Sequence, residues 1–67
     1  MVLITIVTVN LNNIKGLRQT VDSILGQNFK NFEFIIIDGE SIDGSIDYIT
    51  HINDNRIQYI IESDHGF

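Results

Sequence analysis

From Phe32 to Ile37 the chain is apolar at every position except Glu33, and the run stops at Asp38. A glycine-punctuated turn follows, Gly39-Glu40-Ser41-Ile42-Asp43-Gly44-Ser45. The run lacks the alternation of a strand with one wet face, so it reads as a parallel strand covered on both faces. Ligands bind at the carboxyl edge of open parallel sheets, which is where such a strand delivers its polar end. Asp38 and its turn are therefore candidate site residues. The plainer alternative is that Asp38 caps its own turn.

The flanking segments fit the same architecture. Leu3 to Val9 is rich in β-branched residues and is bounded by Asn10, Asn12 and Asn13, which suit a turn and a helix cap. Ile14, Leu17, Val21, Ile24 and Leu25 recur at helical spacing, with Arg18, Gln19 and Asp22 opposite. That pattern predicts a helix over 14–27, closed by Gly26 and Asn28. Ile46, Ile49 and Ile52 fit one face of a second, short helix with Ser41 or Asp43 as its cap. Arg56 to Ile61 reads as a third strand. The order is βαβαβ, a class whose crossovers are right-handed and whose strands are parallel. With strand order 3-2-1, the first strand is an exposed apolar edge unless something pairs with it.

Sixty-seven residues allow one small domain, and a chain of that size buries only about 60% of its unfolded surface. It has no cysteine, so disulfides and thiolate metal sites are excluded. A hydrophobic content of 43% argues against disorder, and a net charge of −5 argues against nucleic-acid binding. The apolar run at residues 2–9 is too short to cross a bilayer, which takes about 20 residues, and lacks the basic flank and cleavage site of a signal peptide.

Asp38 and the asparagines Asn10 and Asn12 end neighbouring strands, where a carboxylate and amides could bind a base or ribose hydroxyls. Asp43 could meet a ribose or serve as a helix cap, and both can hold at once. Asp38 and Glu40 resemble an acidic metal pair, but no third ligand lies nearby. His51 and His65 show no metal-ligand spacing. His51 reads as a surface helix residue, and His65 lies in a polar tail near the carboxyl edge. The first turn has only Gly16 where a dinucleotide fingerprint needs three glycines, and there is no P-loop or nucleophile elbow.

Taken together, ITIVTVNLNN and GLRQTVDSILGQNFKNFEFIIIDGESIDGS resemble the start of the family 2 glycosyltransferases of GT-A fold. The matching segments are Asn10-Leu11-Asn12, Ser23 to Gln27, and Asp38 to Ser45. The closing Glu62-Ser63-Asp64-His65-Gly66-Phe67 resembles a Glu-Pro-Asp-Lys-Gly-Ile segment of one branch. Gly39 replaces the second Asp of a common Asp-Asp pair, and Val9 and Ser63 stand where prolines are frequent.

The resemblance implies a Rossmann-like α/β fold with a parallel sheet, of which this chain would be the amino-terminal βαβαβ half. Residues 1–67 would then be the first part of a longer domain. It implies inverting sugar transfer from a nucleotide-diphosphate donor to a glycan or lipid-linked acceptor, in polysaccharide or surface-glycan assembly. Val9, Asn10, Leu11, Asn12, Asp38, Asp43, Asp64 and Gly66 would line the donor nucleotide pocket. A divalent ion, Mg or Mn, and the catalytic base would be supplied beyond Phe67, with no metal ligand in this chain. The 67 residues alone would be inactive. A cytoplasmic protein, or one peripheral at the inner membrane face, is implied. The competing expectation is a non-enzymatic βαβαβ module that binds a nucleotide or dimerises through its first strand.

Overall fold

A computed structural model describes residues 3–27 and 31–62. It contains β1 (Ile4–Asn10), α1 (Ile14–Leu25), β2 (Phe32–Asp38), α2 (Ser45–Thr50) and β3 (Ile57–Ile61). The three strands form one parallel sheet in the order β1-β2-β3, so the first strand lies at an edge as its position in the order requires. Asn10 pairs in register with Asp38, which brings the polar ends of β1 and β2 side by side.

The element ends differ slightly from the sequence pattern. Helix α1 stops at Leu25, with Gly26 as its C-cap. Leu25 extends the apolar period but is exposed, whereas Ile24 beside it packs against the core. Arg56 belongs to the turn before β3 rather than to the strand. Its guanidinium is held by Asp54 in a two-pronged ion pair, at 3.0 and 2.7 Å, and lies 4.5 Å over the Phe32 ring. At the other end of α1, Asn13 is the N-cap, its side chain accepting the Gly16 N–H at 3.2 Å.

The core lies between one sheet face and both helices. Phe32, Phe34 and Ile36 of β2 are buried with Leu17 and Val21 of α1 and Ile49 of α2. Ile6, Ile24, Tyr48, Ile52 and Ile57 pack against them. Removing a side chain such as Phe34 or Ile36 from water is worth about 2 kcal/mol.

Only this face is covered among the described residues, which corrects the expectation of a strand covered on both sides. Glu33, Ile35 and Ile37, alternate residues of β2, are half-buried. Their neighbours Val7, Val9 and Ile60 on the same face are 54%, 65% and 48% exposed. Two crossovers that advance in one direction with the same hand place both helices on one side, so the other side is left bare. The apolar run therefore records the character of β2 without saying which element covers its second face. No described helix is long and apolar enough to cross a membrane.

Candidate functional site

The carboxyl ends of β1 and β2 are fastened by buried polar side chains. Asp38 is fully buried, and Asn10 and Ser41 nearly so. The Nδ2 of Asn10 donates to Asp38 Oδ1 at 2.8 Å and to Ser41 Oγ at 3.3 Å. Ser41 donates its hydroxyl to Asp38 Oδ1 and its backbone N–H to Asp38 Oδ2, both at 2.7 Å. Burial pushes the Asp38 carboxyl up. Hydrogen bonds from the Ser41 N–H and hydroxyl and from Asn10 outweigh that and hold it below the usual value. The group is a carboxylate whose two oxygens already have partners within the chain.

The two turns at this edge are tied to each other as well. The Asn12 backbone N–H donates to Ser41 Oγ at 2.9 Å, and the Ile42 N–H donates back to Asn12 Oδ1 at 2.7 Å. The Gly39 N–H reaches the Asn10 carbonyl at 3.0 Å. Asn12 and Glu40 both adopt the left-handed conformation, at φ 50° and 64°. That region is uncommon for residues other than glycine and is most often occupied by Asn or Asp.

Asp43 joins the amino ends of both helices. Its Oδ2 accepts the Ile14 N–H of α1 at 2.9 Å, and its Oδ1 accepts the Ser45 N–H and hydroxyl of α2 at 3.0 and 2.5 Å. The Ser45 hydroxyl, with those backbone N–H groups, holds the Asp43 carboxyl below its ordinary value. The N-cap position of α2 itself is taken by Gly44, at φ 97°, not by Ser41 or Asp43 as the spacing suggests. A carboxylate already answers the positive end of α1, where a dinucleotide fold would receive a pyrophosphate.

The candidate residues thus fall into three groups. Asn10, Asn12, Asp38 and Asp43 are brought together in one network. Leu11 is half exposed on the turn, and Val9 lies on the opposite, open sheet face. Asp64, His65 and Gly66 lie outside the described residues. Glu40 is exposed beside a fully engaged Asp38, and no group of three His, Asp or Glu that could hold a metal occurs among the described residues. His51 caps the end of α2 in the open, as a surface residue. Ser41 and Ser45 are the network members that a search for chemistry-bearing residues passes over. The signal for Ser41 was its place three residues after Asp38, the reach of a side chain to the backbone N–H of a turn.

Compared with known proteins, residues 5–67 match the family described as Glycosyl transferase family 2. No curated protein matches the chain. No solved structure does either.

Proposed function

This chain belongs to glycosyl transferase family 2, and from that membership we propose that it forms the donor-nucleotide half of an enzyme that moves a sugar from a nucleotide-diphosphate donor to a glycan or lipid-linked acceptor. Its three parallel strands in βαβαβ order are consistent with the amino-terminal Rossmann-like half of a GT-A fold. The carrying observation is the Asn10–Asp38–Ser41 tie, which fixes two turns side by side at the carboxyl edge of β1 and β2. Fixed turns at that edge suit a planar base and a ribose, because little freedom is lost on binding.

The base and ribose would meet the turn from Asn10 to Asn12 and the Gly39–Glu40 backbone. Asp38 and Asp43 support these turns. In the inverting sense, the acceptor oxygen bonds to the anomeric carbon as that carbon's bond to the donor phosphate oxygen breaks. The nucleoside diphosphate leaves with the electron pair, and the hydroxyl proton passes to a carboxylate base. These turns are assigned the nucleoside end of the donor from their place at the carboxyl edge of β1 and β2.

Calorimetric titration of the chain with uridine, guanosine, adenosine and thymidine diphosphates, beside inorganic pyrophosphate, tests this reading. Binding of one nucleoside diphosphate without binding of pyrophosphate is expected. Heat with pyrophosphate alone, or with none of the five, would overturn it.

A further inference from the structure

We propose that Ser41 is a positioning residue for the donor nucleotide, acting through the β1–α1 turn without touching the ligand. This rests on the reading that the nucleotide binds at the carboxyl edge of β1 and β2.

A serine hydroxyl has one proton to give and two lone pairs to receive. In Ser41 all three are used: the proton goes to Asp38 Oδ1, and the lone pairs accept the Asn12 N–H and Asn10 Nδ2. With its hydroxyl saturated and its surface 6% exposed, Ser41 has nothing left for a ligand. What it does have is leverage. One oxygen pins the last residue of β1, the left-handed residue of the following turn and the last residue of β2.

The Asn12 conformation depends on that pin. Its backbone sits at φ 50°, with its N–H on Ser41 Oγ and its side chain on the Ile42 N–H. If the hydroxyl is removed, the Asn12 N–H and one Asn10 amide hydrogen lose their acceptor, and Asp38 Oδ1 loses a donor. The turn from Asn10 to Asn12 is then free to leave the geometry that a base and ribose require. Glycine or alanine at position 41 could still donate a backbone N–H to Asp38, so the effect belongs to the hydroxyl.

The test is calorimetric titration of the full chain and its Ser41→Ala, Ser41→Thr and Ser41→Cys variants with the nucleoside diphosphate that binds best. The folded fraction of each is read from its amide spectrum. Ser41→Ala is expected to bind about tenfold more weakly per folded molecule, the equivalent of one lost hydrogen bond. Ser41→Thr, which keeps the hydroxyl, is expected to restore affinity. Equal affinity of folded Ser41→Ala and the parent overturns the proposal. So does a loss that vanishes once the folded fraction is taken into account, because the role is then purely structural. If Ser41→Ala does not fold, Ser41→Cys is judged by the same criteria, since it keeps the volume and a weak donor. A parent chain that binds no nucleotide overturns the functional reading itself, whereas a binding parent with an indifferent Ser41 overturns only this role.

Discussion

The Asp43 carboxylate and the Ile14 backbone N–H, 29 positions apart in the chain, meet at 2.9 Å. The same carboxylate receives the Ser45 N–H at the start of α2, so one side chain answers unpaired donors at two helix ends. It also couples the β1–α1 turn to the β2–α2 turn, because neither helix can shift its first residue without breaking a bond to Asp43.

Replacing Asp43 therefore affects both helices at once. Asp43→Ala should lower the thermal midpoint by about 5 °C or more, the effect of losing a helix cap in a domain of this size. Asp43→Asn keeps an acceptor oxygen and should fall between the two. Thermal unfolding followed by circular dichroism checks the order, and an unchanged midpoint in Asp43→Ala would refute the coupling.

Gly44 precedes α2 at φ 97°, and a Cβ there would meet only Ile14 Cδ1, at 3.5 Å. Space is available, so the cost of Gly44→Ala is confined to the backbone, at about 1–2 kcal/mol. Urea denaturation should show that loss with an unaltered slope.

The core sets a narrow margin. Phe34 and Ile36 are fully buried between the sheet and the helices. Ile36→Val should cost about 1 kcal/mol, and Phe34→Ala about 3–5 kcal/mol. The second figure approaches the whole stability expected of a chain this short. Ile36→Val should remain folded and Phe34→Ala should not, as judged by amide dispersion.

Acid should unfold the chain through its aspartates. Asp38 and Asp43 are held below their ordinary values, and hydrogen bonds from Arg56 bring Asp54 to about 2. The folded form thus binds these protons less readily than the unfolded form. Their stabilisation is complete above the ordinary aspartate value of about 4, shrinks as pH falls below it, and disappears below the folded values. The urea midpoint should be level from about pH 7 to 5 and fall from about pH 4 to 2. A midpoint still level at about pH 2 would sink the assignment.

Val7 on the uncovered sheet face is 54% exposed and has Ile35 as its cross-strand neighbour. Val7→Thr should change stability by less than about 0.5 kcal/mol, as at other surface positions. Urea denaturation of the variant beside the parent checks this, and a midpoint shift equivalent to more than about 1 kcal/mol would refute the exposed placement.

Much of the fold was legible because hydrophobic period is a local property. The βαβαβ order, the stop at Asp38 and the end of α1 at Gly26 all follow from neighbours within a few residues. The cap of α2 was less legible, since Ser41, Asp43 and Gly44 each suit a turn and spacing does not rank them. The bare sheet face was not legible, because an apolar strand looks the same whether its second face is covered or open.

The candidate site divides along the same line. The sequence by itself determined that a carboxylate and an asparagine end adjacent strands at the carboxyl edge of an α/β sheet, with a second asparagine in the turn beyond. Only the tertiary structure decided how they are used: Asp38 is turned inward onto Asn10 and Ser41, and Asp43 reaches across to Ile14. The physical reason is that a buried polar group must find its partners wherever the packed chain brings them. Here Asn10 and Ile14 lie 28 and 29 residues from the carboxylates they answer, beyond the reach of any local pattern.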